Sequence, residues 1–94
     1  MNVEAVRWAF RQHTGDARAK LLLCTIASAV GDDGTCSASV RRLAVGCELS
    51  VRMVLRQLHR LEELGLLEKR PGPPANDGSG QGRYEFRIRG EVER

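Results

Sequence analysis

The sequence predicts a mainly α (α+β) fold, a helical core closed by a C-terminal two-stranded β-hairpin. Three observations predict it. Val54, Leu58 and Leu61 recur at i, i+4 and i+7, the period of a helix with one buried face. Tyr84, Phe86 and Ile88 alternate with Arg83, Glu85, Arg87 and Arg89, the period of a half-buried strand. Seven of the twelve residues 71–82 are glycine or proline, so they read as a loop between two strands. A chain of 94 residues buries roughly 60–65% of its unfolded surface, enough for one modest core. The whole of 1–94 therefore reads as a single domain, too small for a second domain or a large cofactor fold.

The elements follow in order. Val3, Val6 and Phe10 recur at helical spacing across 3–12, which reads as a short amphipathic helix. Thr14-Gly15-Asp16 breaks it and supplies an N-cap for the next helix. That helix, 17–30, carries Leu22, Leu23, Ile26, Ala27 and Val30 as an apolar stripe, with Gly31 as its expected C′ residue. The Leu21–Leu23 run suggests burial on more than one side. Asp32-Asp33-Gly34 is a turn. Ser39 caps a helix of about two turns, and Val40, Leu43, Ala44 and Cys47 follow at core spacing. Ser50 caps a longer helix, 51–64, which Gly65 ends. Residues 66–70 form a strand, the loop 71–82 follows, and 83–89 pairs back on that strand. Residues 90–94 are a tail. Helix, helix, helix–turn–helix, strand, loop, strand is the order of a winged helix.

Charge is concentrated where that order places the helix-turn-helix. The net charge is +3, from 15 basic and 12 acidic residues. Residues 1–38 and 71–94 are each neutral, whereas 39–70 hold seven basic residues against four acidic. Thirteen of the 15 basic residues are arginine, so placement is more informative than richness.

Within the helix-turn-helix, 39–65, each position has a geometric reason. Leu43, Ala44 and Leu49 pack the first helix on the second, and Ala44 is small where the two approach. Ser50 opens the second helix and can offer its hydroxyl or the adjacent N–H groups to a phosphate. Val54, Leu58 and Leu61 face the core, which leaves Val51, Arg52, Leu55, Arg56, His59 and Arg60 on outer or flanking faces.

Trp8-Ala9, Lys20, the leucine-rich helix, Gly34-Thr35-Cys36, Ser39 and the stretch from Leu43-Ala44 to Gly65-Leu66-Leu67 carry a resemblance. Over about 6–70 the chain resembles the winged helix-turn-helix domains of phage, plasmid and bacterial DNA-binding proteins. These include N-terminal modules of replication initiators and small free-standing regulators. The resemblance implies sequence-specific binding of double-stranded DNA without catalysis. The chain departs from that pattern at Ala38, where a proline is usual, and at Glu48, where a glycine often stands in the turn. It departs again at Val51, Arg52 and Met53, where two polar or basic residues and a threonine are expected.

Candidate contacts follow from the expected docking. Arg52 and Arg56, four apart, can both enter a major groove and pair with guanine; the alternative is a solvated helix face. Arg60 lies one turn further on. Val51, Met53 and Leu55 could touch thymine methyls, pack sideways on neighbouring helices, or form a protein-binding surface. Ser39, Arg41 and Arg42 open the first helix of the pair, where a phosphate would offset positive charge at a helix N-terminus; a solvent-facing role is the alternative. Arg70 and Arg83 flank the wing loop and could reach a minor groove or a phosphate. The four aromatics, Trp8, Phe10, Tyr84 and Phe86, read as core.

Other chemistries find no residues. Cys24, Cys36 and Cys47 form no CxxC pair and have no histidine at finger spacing, so no metal or other cofactor is expected. His13 and His59 have no partners at catalytic spacing, and no phosphate-cradling glycine motif opens a helix, so no enzyme is expected. Nothing in the sequence reads as a signal peptide or a membrane span, and free thiols point to a reducing cytoplasm. The expected partner is double-stranded DNA and not a membrane; a homodimer and a protein partner are left open. Helix 3–12 and the tail are the surfaces on which two copies could meet.

Overall fold

The computed structural model of the chain describes residues 1–72 and 83–89. Four helices, α1 (Val3–Arg11), α2 (Ala17–Ala29), α3 (Val40–Cys47) and α4 (Val51–Glu63), pack with three strands, β1 (Thr35–Ser39), β2 (Leu67–Pro71) and β3 (Arg83–Ile88). The strands form one antiparallel sheet in the order β1-β3-β2. This mixed α+β layout is compatible with a winged helix whose hairpin is β2–β3.

Local chemistry sets most boundaries. Asn2, Asp16, Ser39 and Ser50 each accept a hydrogen bond from a first-turn backbone N–H of the helix they precede. At the end of α4, Leu66 N–H donates to the Leu61 carbonyl and Gly65 N–H to that of Glu62, with Gly65 at φ 76°. That pair of bonds is a Schellman motif, which needs a left-handed residue at this position. Gly31, expected to play the same part after α2, does not have a positive φ. Its N–H donates instead to the Thr35 carbonyl and its carbonyl accepts from Gly34, so it belongs to the turn into β1.

The helix α2 is the centre of the bundle, packed against α1, α3, α4 and β1. It buries Ala19, Leu22, Leu23, Ile26 and Ala27, while Leu21 stays exposed. Against it α4 sets Val54, Leu58 and Leu61, and the sheet contributes Leu67, Phe86 and Ile88. The alternation expected along β3 holds from Phe86 onward, with Phe86 and Ile88 buried and Arg87 and Arg89 exposed, while Arg83, Tyr84 and Glu85 are all half-buried.

Two expectations for α1 are corrected. The stripe Val3–Val6–Phe10 is not its core face; Ala5, Trp8 and Ala9 are buried instead. Phe10 is 64% exposed, so it is not a core aromatic. The physical reason is close approach. Ala5 and Ala9 let α1 lie near α2, and Trp8 buries the largest apolar side chain of the helix. Lys20 then donates to the carbonyls of Phe10 and Gln12, satisfying the C-terminal end of α1.

The sheet also holds a strand without a periodic signal. Thr35–Ser39 is small and polar, yet it pairs along β3 with Cys36 opposite Phe86 and Ala38 opposite Tyr84. The loop expected at 71–82 lies outside the described residues from 73 onward, as does the tail 90–94.

Candidate nucleic-acid interface

The helix-turn-helix is built around one residue in an uncommon backbone conformation. Glu48 sits at φ 59°, ψ 42°, where its N–H donates to the Val45 carbonyl and that of Leu49 to Ala44. This is the Schellman geometry again, with glutamate in the place of glycine. The turn therefore keeps its shape at the expense of backbone strain in the left-handed region. Leu49 then packs against the core and Ser50, through its Oγ, accepts from Met53 N–H at 3.0 Å to start α4.

Ser39 does the corresponding work for α3, accepting from Arg42 N–H at 3.0 Å. It is also the last residue of β1, and its cross-strand partner is Arg83. Strand β1 thus fixes the entry of the wing to the N-terminus of α3, bringing Arg83 to the same end as Arg41 and Arg42.

Along α4 the candidate residues divide by face. Val54, Gln57, Leu58 and Leu61 are buried. Successive residues rotate by about 100°, so Arg52, Arg56, His59 and Glu63 point most directly away from that buried face. Val51 and Leu55 share one flank, 43% and 42% exposed. Met53 lies about 160° round the helix from either, on the flank of Arg60. There its sulfur is 3.2 Å from Gln57 Nε2. The three apolar candidates are thus not one surface.

The arginines divide by partner. Arg18 pairs with Asp16 at 2.9 Å, Arg70 with Glu85 at 3.7 Å, and Arg89 with Glu68. Arg60 donates to the carbonyl of Thr14 at 3.3 Å and lies 3.2 Å from where a Cβ on Gly15 would stand. By contrast Arg41, Arg42, Arg52 and Arg56 are exposed and form no ion pair among the described residues. All four lie on the helix-turn-helix. In the wing, Lys69 Nζ lies 4.6 Å over the Tyr84 ring, and Arg83 is half-buried.

Sequence reasoning missed Gln57. It occupies a core position of α4, 2% exposed, and its Oε1 has no hydrogen-bond partner among the described residues. A glutamine at an i+3 position from Val54 carries no local signal of burial. Beside it a cleft of about 370 Å³ is lined by Asp16, Arg56, Arg60 and Glu63, among others. The salt bridge and backbone N–H from Arg18 hold the Asp16 carboxyl well below the usual carboxylate range. Burial pushes the Cys24 and Cys36 thiols up. Among the described residues, no group of three or more His, Cys, Asp and Glu side chains could hold a metal ion. No described helix is long and apolar enough to cross a membrane.

The family model of the helix-turn-helix domain matches residues 17–67, from the start of α2 to the first residue of β2. No curated protein and no solved structure gives a match.

Proposed function

The chain belongs to the helix-turn-helix domain family, and from that premise we propose that it binds double-stranded DNA sequence-specifically. On this reading it is a cytoplasmic transcriptional regulator or a phage or plasmid accessory factor, and not an enzyme. The domain is 1–94, with α4 in the major groove and the wing on the backbone. The observation that supports this best is the grouping of four exposed arginines on the helix-turn-helix. Arg41, Arg42, Arg52 and Arg56, exposed and without an ion pair among the described residues, lie together on the two helices of the motif. Arg7, Arg11 and Arg87, likewise exposed and without an ion pair there, lie outside it, and Arg18, Arg60, Arg70 and Arg89 are engaged within the fold. A cation without an internal partner on an exposed helix is free for a phosphate or a guanine edge.

Roles follow from position. Arg52 and Arg56, outermost on α4, read bases. Ser39, Arg41 and Arg42 at the start of α3, Ser50 at the start of α4, and Arg70 and Arg83 at the wing contact phosphates. About six to nine phosphate contacts give a slope of log affinity on log salt of roughly −5 to −8. Fluorescence anisotropy on duplex DNA at several salt concentrations tests this. Micromolar or tighter binding at low salt with that steep slope supports it; no binding, or a flat salt response, sinks it. A replication-initiator DNA-binding module would use the same surface.

A second reading is favoured by the exposed flank of Val51 and Leu55. Apolar residues there suit a protein partner, as for a phage-encoded inhibitor or an assembly subunit. Capture of a partner that survives high salt and nuclease, and is lost in Leu55→Asp, would favour this reading over DNA.

A further inference from the structure

The cleft of about 370 Å³ lies between the second half of α4 and the first turn of α2. Its size falls within the range of about 300–1,000 Å³ typical of small-molecule sites. Both carboxylates in its wall are paired there, Asp16 with Arg18 at 2.9 Å and Glu63 with His59 at 3.3 Å. Arg56 forms no ion pair among the described residues, and Arg60 donates to a backbone carbonyl, that of Thr14. With His59 neutral, three arginines against two carboxylates leave one positive charge in excess. Gln57 also lines the cleft and is 2% exposed. Its Nε2 is turned to the sulfur of Met53, which does not line the cleft, and its buried Oε1 has no hydrogen-bond partner among the described residues. A buried acceptor of this kind is costly until a donor reaches it.

We propose that the cleft binds the phosphate of a small organic phosphate monoester, held as a monoanion that keeps one P–O–H. Its charge answers the excess of one, and its hydroxyl donates to Gln57 Oε1. The ionised oxygens accept from Arg56 and Arg60, four apart on α4, whose exposed side chains turn onto the anion as the hydroxyl enters. A carboxyl group is either charged or protonated and never both, and a phosphodiester of the DNA backbone is charged but has no proton for Oε1. The cleft is larger than a bare phosphate ion, which leaves room for the organic part. Arg56 is also one of the arginines assigned to base contact, so on the DNA reading an occupied cleft withdraws it from the groove. The binding itself does not depend on that reading.

The test uses the full chain without DNA, with inorganic phosphate, ribose 5-phosphate and dimethyl phosphate as probes. At about pH 5.5, below the second phosphate ionisation at about 6, all three are mainly monoanions and only dimethyl phosphate lacks a P–O–H. In nitrogen–proton correlation spectra at constant ionic strength, the first two should shift the amides of 16–18 and 56–64 and saturate in the millimolar range. Ribose 5-phosphate should bind the more tightly. Dimethyl phosphate should bind about tenfold more weakly than phosphate, the worth of one hydrogen bond to a buried acceptor. Gln57→Met should abolish that preference, whereas Arg56→Gln, at an exposed position, should weaken all three probes alike. No saturable shift, dimethyl phosphate binding as tightly as phosphate, or a preference that survives in Gln57→Met overturns the proposal. Equal binding of ribose 5-phosphate and inorganic phosphate overturns the monoester and leaves a site for inorganic phosphate.

Discussion

Arg60 donates to the carbonyl of Thr14, 46 positions away, at 3.3 Å. The bond ties the last turn of α4 to the connection between α1 and α2. It also removes one arginine of the outer helix surface from the set free to meet DNA.

Arg60→Ala is therefore expected to act on stability and Arg52→Ala on recognition. Loss of this part-buried hydrogen bond from a charged donor should lower unfolding free energy by about 1 kcal/mol. Arg52→Ala should leave the thermal midpoint unchanged and relax sequence preference, costing about 1–3 kcal/mol on the preferred site. Paired thermal melts and anisotropy titrations separate the two. Equal losses of DNA affinity with no stability difference would contradict the division.

Glu48 holds a left-handed conformation, φ 59°, that a glycine adopts without steric cost. Glu48→Gly should raise stability by about 0.5–1 kcal/mol, the left-handed strain relieved less the added backbone entropy of glycine in the unfolded chain. The urea midpoint should rise with an unchanged m-value. A lower midpoint would show that Glu48 makes a compensating contact.

Gln57 is buried, and its Oε1 has no hydrogen-bond partner among the described residues. Replacement by methionine keeps the length of the side chain and removes the unsatisfied carbonyl. Gln57→Met should stabilise the fold by about 1 kcal/mol, measured by chemical denaturation. Destabilisation would mean that the amide is satisfied in solution by a group such as a water in the adjacent cleft.

Asp16 predicts a pH dependence with a definite sign. Its folded-state carboxyl is held below the usual range by Arg18, so ionisation favours the native state. That contribution is fully present above the ordinary aspartate value near 3.9 and is lost as pH falls below it. Asp16→Asn keeps a capping side chain but cannot titrate. The stability gap between the two proteins should narrow from pH 6 to pH 2; a constant gap would rule out the ion pair as its source.

How much of this was legible in the sequence can be read from particular residues. The caps Asp16, Ser39 and Ser50 and the terminator Gly65 were visible because each bonds to a backbone group within four positions of itself. The core faces of α4 and β3 were visible because Val54, Leu58 and Leu61, and Phe86 and Ile88, leave no competing face. In α1 there were two candidate faces. Val3–Val6–Phe10 has the cleaner period, but Ala5–Trp8–Ala9 has the shape that fits α2. The face of Gln57 and the strand β1 gave no signal at all, since neither residue type nor period marks them.

The candidate site divides in the same way. The sequence by itself determined that 39–65 is a helix-turn-helix, that its helices carry the excess positive charge, and that Arg52 and Arg56 share a face of α4. These follow from spacing within a few residues along one helix. Only the tertiary structure decided that Arg60 belongs to Thr14 and that Arg83 reaches the start of α3 opposite Ser39. The physical reason is range. Capping and helical period are settled within a turn of chain, whereas the partner of an arginine or the edge of a strand is settled by whatever packs there from tens of residues away.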